Sequence, residues 1–265
     1  MMAYMDSGTP DIVSMPRGGP EASWLDRRLE TNRLEYLDRG DVDDLKRKVV
    51  RSLDRAGRRR WFSARQRYEK LAQVALGEMA DVPSPKILEL GCGLGGLSRK
   101  LLENHPTAQV TVTDIAPTFV SAVAASDVGS HPRATVREMD ATAIDAPDGY
   151  YDLAVFVLSL HHLPPALAAQ VFAEGTRAAN KLVIIDLRRR STPLHLVMLA
   201  PVLPLTGLVP LAHDGFISSL RAYSSSALRA LAQYADPAIT VEFRTRPWGL
   251  MVAVASRAQQ TGQSP

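Results

Sequence analysis

The sequence predicts an α/β fold: a doubly wound, mostly parallel sheet of seven strands with an antiparallel last strand, preceded by an N-terminal helical cap. Three observations carry this expectation. A short apolar run, Ile87-Leu88-Glu89-Leu90, enters a turn containing Gly91, Gly93, Gly95 and Gly96, after which Leu97, Leu101 and Leu102 recur at helical spacing. Strand-like and helical patterns then alternate as far as Asp186, as in parallel strands joined by crossover helices. Two further strand-like runs close the chain, and the short Pro-Trp-Gly turn between them makes them antiparallel.

Taken in order, residues 1–20 are rich in Gly, Pro, Ser and Met without periodicity and are expected to be disordered or loosely attached. Residues 21–59 form the expected cap. One or two short helices are plausible over 21–40. A clearer helix spans Asp41 to Ala56, with Val42, Leu45, Val49, Val50 and Leu53 on one face. Its other face is basic (Lys46, Arg47, Lys48, Arg51, Arg55, then Arg58 to Arg60), which suits either an anionic partner or a solvated surface. The core domain runs over 60–256 and opens with a helix from Ser63 to Met79 carrying Tyr68, Leu71, Ala72, Ala75 and Met79 on one stripe. After the glycine turn, strands are predicted at Ala108–Asp114, Ala134–Glu138, Tyr151–Leu158 and Lys181–Asp186, with helices from Pro117 and from Pro165 to Ala179 between them. The fourth strand is nearly all apolar, as a central strand covered on both faces should be. Residues 188–224 break the alternation and read as an insertion. A helix at Ser225–Tyr234 and strands at Ile239–Thr245 and Gly249–Ser256 follow, and 257–265 is a polar tail.

Composition narrows the function classes. The 265 residues can bury one large core or two small ones, and a net charge of +3 is too small to imply a nucleic-acid partner. The one cysteine, Cys92, excludes an intrachain disulfide and fits a reducing, cytoplasmic setting. In the glycine turn it reads as a small filler rather than a catalytic thiol. The N-terminal residues lack a basic stretch followed by an apolar core, so no secretory leader is expected. The apolar stretch Leu194–Leu211 contains Pro201, Pro204 and Pro210, which argues against a simple membrane-spanning helix.

Ligands of such sheets bind outside the carboxyl ends of the strands. There the sequence offers Glu89 with the glycine turn, Asp114, Asp140 and the exit Leu158-Ser159-Leu160-His161-His162. The glycines satisfy both G-x-G-x-x-G and G-x-G-x-G, which leaves a dinucleotide and another nucleoside cofactor open. Carboxylates at strand ends can accept hydrogen bonds from ribose hydroxyls or an adenine amino group. Leu97 and Ser98 stand where a phosphate-binding loop would carry its lysine and hydroxyl, so a nucleoside triphosphate is not expected.

Glu89-x-Gly91-x-Gly93-x-Gly95, Asp114 closing the second strand, Asp140 after the third, the Leu158–Leu163 segment and the closing antiparallel pair resemble class I S-adenosylmethionine-dependent methyltransferases of small-molecule type, over roughly residues 60–256. The resemblance implies a Rossmann-like sheet binding S-adenosyl-L-methionine and releasing S-adenosyl-L-homocysteine. Gly91, Cys92, Gly93 and Gly95 would lie against its amino-acid and ribose portion, with Glu89 near the methionine end. Asp114 would meet the ribose hydroxyls and Ile115 the adenine. Asp140 would meet the adenine amino group, with Ala141 beside it; the alternative for Asp114 and for Asp140 is a cap on the following turn. Leu158 and Ser159 would border the reacting end. For an acceptor that needs a base, His162, His161 and His213 are the candidates, with Asp214 and Tyr223 as helpers and His162 and His213 preferred; no metal is expected. The greasy 188–224 region would build a pocket for a hydrophobic or aromatic acceptor, serve as a lid, or form a homodimer interface. A nucleic-acid methyltransferase, an NAD-dependent oxidoreductase and a non-catalytic cofactor-binding protein are the competing readings. The first fits poorly because Ser159-Leu160-His161-His162 replaces the Asp/Asn-Pro-Pro-aromatic pattern of base-amino methylation. The second fits poorly because it explains neither Glu89 nor Asp140.

Overall fold

The computed structural model describes residues 12–35, 64–206, 209–245 and 250–258. The expected helix at 41–56, the basic stretch 46–60, the Pro-Trp-Gly turn and most of the tail lie outside the described residues.

Seven strands form one sheet: β1 (Lys86–Leu90), β2 (Gln109–Asp114), β3 (Ala134–Glu138), β4 (Tyr151–Val157), β5 (Ala179–Leu187), β6 (Ile239–Thr245) and β7 (Leu250–Arg257). Their order is β3-β2-β1-β4-β5-β7-β6. The neighbours from β3 to β5 pair in parallel, while β7 is inserted between β5 and β6 and is antiparallel to both. The chain therefore builds outward from β1 through β2 and β3, then restarts on the other side of β1 with β4. The reversal falls at the carboxyl ends of β1 and β4, the position at which sheets of this topology carry their ligand crevice.

Eight helices occur among the described residues: α1 (Trp24–Arg28), α2 (Ala64–Gly77), α3 (Gly96–Asn104), α4 (Pro117–Ala124), α5 (Pro165–Ala178), α6 (Thr192–Leu199), α7 (Pro210–Arg221) and α8 (Ser225–Ala235). Strand periodicity divides the core in two. Ile87, Leu153, Val155, Val183, Ile185 and Val252 join the cluster under α2 and α3. Their sequence neighbours Leu88, Ala154, Phe156, Leu182, Ile184 and Ala253 join the one under α5 and α8. Successive side chains on a strand point to opposite faces, so a continuous apolar run serves both cores.

Residues 12–20 depart from the expectation of disorder. Ile12 and Met15 are buried in the α5–α8 cluster. The Arg17 guanidinium donates to the carbonyls of His161 (3.0 Å), Arg221 (2.7 Å) and Leu163 (3.1 Å). Two apolar anchors and a buried arginine offset the ordering cost that the Gly/Pro-rich composition suggested. The insertion is helical: α7 turns Asp214, Ile217, Ser218 and Arg221 inward, whereas α6 leaves Leu194, Val197 and Met198 exposed. Among the described residues no helix is long and apolar enough to cross a membrane.

Candidate active site

The glycine turn is tied to the end of β2. The Cys92 N–H donates to the Thr113 carbonyl at 2.8 Å, and the Thr113 hydroxyl donates to the Glu89 carbonyl at 2.8 Å. Asp114 is buried; its Oδ2 accepts the Gly93 N–H and its Oδ1 the Ala116 N–H, each at 2.9 Å. Each carboxylate oxygen can accept a second hydrogen bond, which leaves capacity for two hydroxyls. Gly93 has φ +52°, and a methyl placed on it would meet no protein atom within 4 Å. Beside it Ile115 is 63% exposed, an apolar side chain at the strand edge. Bare turn, buried acid and uncovered Ile115 together fit a nucleoside: hydroxyl acceptors next to an apolar seat for a base.

Gly96 has a different task. A methyl there would approach the Tyr68 ring to 2.4 Å, so its lack of a side chain lets α2 pack against the start of α3. Tyr68 borders Glu89 as well, and its phenol is pushed above the ordinary range by burial and by that carboxylate. Glu89 is 3% exposed and accepts the Ser98 hydroxyl. Burial raises its pKa to about 8; the Ser98 hydrogen bond opposes the rise and the Asp114 charge adds to it. A buried acid poised near neutrality can hold a proton until a cation arrives to replace it.

The other predicted cofactor residues fare unequally. Leu158, directly after β4, has φ +52°, a strained conformation for a non-glycine residue, held by its N–H to the Ile185 carbonyl at 2.8 Å. That strain sits in the crevice opposite the glycine turn. Asp140 is exposed, and its Oδ1 accepts the N–H (2.8 Å) and hydroxyl (2.7 Å) of Thr142. It caps its own turn while Ala141 packs on the core. Cys92 buries its side chain in the α2–α3 core and commits its N–H to Thr113. Burial drives the thiol pKa above the ordinary range, so it is the inert filler of the turn.

At the exit of β4 a short 3-10 turn, Leu160–His162, places two imidazoles side by side with ring centroids 4.3 Å apart. His161 is buried, with Nδ1 2.7 Å from Asp186 Oδ1 and Nε2 3.6 Å from Glu35 Oε1. His162 retains 25% side-chain exposure, and its Nδ1 lies 3.9 Å from the same Glu35 oxygen. Glu35 also accepts the Ser218 hydroxyl at 2.7 Å. Asp186 is held below the usual carboxylate range: burial pushes it up, but His161 and the N–H groups of Leu187 and His161 outweigh that. His213, on α7, contacts Asp214 Oδ1 through Nδ1 at 3.0 Å. Tyr223, considered as a helper, is instead structural: its hydroxyl donates to the Leu163 carbonyl at 2.8 Å and Arg17 stacks over its ring.

Sequence reasoning missed Glu35, Asp186, Ser218 and Arg17. Asp186 was discoverable, because it ends an apolar strand as Asp114 does. The other three reach the site only through the tertiary fold.

Residues 87–181 match the family model described as a methyltransferase domain. A 75-residue stretch is 36% identical to the malonyl-[acyl-carrier protein] O-methyltransferase of Paenibacillus sp. (strain JDR-2), covering 27% of this chain and 27% of that protein's length. The fold is similar to that of the plantazolicin methyltransferase BpumL in complex with a monoazolic desmethylPZN analog and SAH, with TM-score 0.63 and 14% identity over 88% of this chain and 98% of that one. It is also similar to magnesium protoporphyrin IX methyltransferase from Synechocystis PCC 6803 with bound SAH, with TM-score 0.56 and 19% identity over 84% and 97% of the two chains. The methyltransferase-domain match runs from β1 into β5, across the glycine turn and the strand ends of β1, β2, β3 and β4.

Proposed function

We propose that this chain is a cytoplasmic enzyme that methylates a small hydrophobic or aromatic acceptor. The observation that carries the reading is the crevice between β1 and β4: glycine turn and Asp114 on one side, strained Leu158 and the His161-His162 turn on the other. S-adenosylmethionine supplies an already activated methyl group, so the protein chiefly aligns the partners and excludes water. Gly93, Asp114 and Ile115 would hold its nucleoside, Glu89 its amino-acid end, and Leu158 would border the methyl.

The acceptor side is built by residues 12–35 and the α6–α7 insertion. The apolar side chains of α6 (Leu194, Val197, Met198) support an apolar acceptor. Three imidazoles carry a carboxylate partner: His161 with Asp186, His213 with Asp214 and, at a longer distance, His162 with Glu35. His161 is buried on both sides, whereas the His213 side chain keeps 22% exposure, so His213 is the better-placed proton acceptor for a hydroxyl. His162, which faces Glu35, is the weaker candidate.

The test is methyl transfer from isotopically labelled S-adenosylmethionine to a panel running from long-chain phenols and quinols to polar metabolites. Turnover concentrated in the apolar members supports the reading. Turnover confined to polar acceptors overturns it.

A further inference from the structure

Glu35, His161 and His162 come from distant parts of the chain, yet each offers one ligand atom such that the three lie within 4.8 Å of one another. The Glu35 oxygen lies 3.6 Å from His161 Nε2 and 3.9 Å from His162 Nδ1. Both exceed the range of a good hydrogen bond. They approach the spacing of donors around a tetrahedral ion with bonds of about 2.0–2.1 Å, which is about 3.3–3.5 Å.

The surroundings are arranged as a metal site requires. Asp186 lies 2.7 Å from His161 Nδ1, which places the ring's lone pair on Nε2, toward Glu35. A carboxylate behind a ligating imidazole fixes its tautomer and raises its basicity. Asp186 is itself anchored by the N–H groups of His161 (3.0 Å) and Leu187 (2.7 Å). Ser218 orients Glu35 from α7. Arg17 and Arg221 border the cluster, but they donate to main-chain carbonyls, including those of His161 and His162. Glu35 and Asp186, both buried, set two carboxylates against the His161 ring. His162 keeps 25% side-chain exposure, so solvent reaches the ring from which the third ligand would come.

We infer that Glu35, His161 and His162 form a binding site for a divalent transition-metal ion of the zinc or cobalt type, with Asp186 as its positioning residue. This departs from the sequence-based expectation of no metal. It stands independently of the acceptor reading, because it concerns cation binding rather than turnover.

The experiment uses the full chain, stripped with a chelator and titrated with Co²⁺, with bound metal read from visible d–d absorption and Zn²⁺ measured by displacement. The expected result is saturation at about one ion per chain. Glu35→Gln and His162→Ala should abolish the absorption. Asp186→Asn should weaken affinity by about 10–100-fold while retaining the spectrum. His131→Ala, on the opposite side of the sheet order beside β3, should bind as the parent does. Circular dichroism confirms that each variant is folded, and His162→Asn, at the more exposed ligand, serves if His162→Ala is not. Absence of saturable uptake overturns the inference, as does uptake that Glu35→Gln and the His162 variant leave unchanged.

Discussion

Asp114 Oδ2 accepts the Gly93 N–H at 2.9 Å, so the acid that would meet the ribose is also the acid that shapes the turn. Asp114→Ala removes a charged acceptor from two main-chain donors and from the cofactor at once. A hydrogen bond to a charged group contributes about 1.5–3 kcal/mol. S-adenosylhomocysteine affinity, measured by calorimetry, should fall by at least about tenfold, with the enthalpy affected more than in a variant at exposed Asp140. Unchanged affinity in Asp114→Ala would remove the nucleoside from this edge.

Glu89 makes the second prediction through its pKa of about 8. Its carboxyl titrates near 4.3 when unfolded. Between these values the folded state binds a proton that the unfolded state does not, so stability falls as pH rises from about 4.3 to about 8 and levels off above. Glu89→Gln should flatten that slope in thermal melts. If the amino group of the cofactor pairs with ionised Glu89, binding at pH 7 should release on the order of one proton. Calorimetry in buffers of different ionisation enthalpy reads this, and Glu89→Gln should release none.

Gly96 against Tyr68 provides a packing test, since a methyl at position 96 would sit 2.4 Å from the ring. Gly96→Ala should destabilise by about 1–3 kcal/mol, the usual cost of overpacking. In a Tyr68→Ala background the same change should cost much less. Additive effects in denaturant titrations would mean that the ring is not what excludes a side chain here.

Arg17 fastens the N-terminal segment to the site through three carbonyls. Arg17→Ala leaves buried carbonyls without those donors, at a cost of about 2–4 kcal/mol. Limited proteolysis should cut first within residues 12–35. Arg17→Lys should recover little, because an ammonium cannot span the same fork.

The sheet was legible because its strands are continuous apolar runs ended by turn residues, and the acids at strand ends stand out against them. Asp114 and Glu89 could be named that way, and Asp186 obeys the same pattern at the end of β5. Cys92 stands within the glycine turn, yet its side chain points into the core. Glu35 and Arg17 were illegible for a different reason. Arg17 and His161 are 144 residues apart, and no local period connects an arginine in a Gly/Pro-rich segment to the exit of β4. The segment's apolar anchors, Ile12 and Met15, are too few to register as a pattern, yet suffice once α5 and α8 provide a surface.

The central claim is that the crevice between β1 and β4 binds S-adenosylmethionine. Its most direct test is thermal unfolding of the purified chain with S-adenosylhomocysteine and, separately, with NAD. At a hundredfold excess over Kd a ligand specific to the folded state adds about 2.7 kcal/mol. The account predicts a rise of several degrees with S-adenosylhomocysteine, lost in Asp114→Ala, and no rise with NAD. Stabilisation by NAD alone would contradict it.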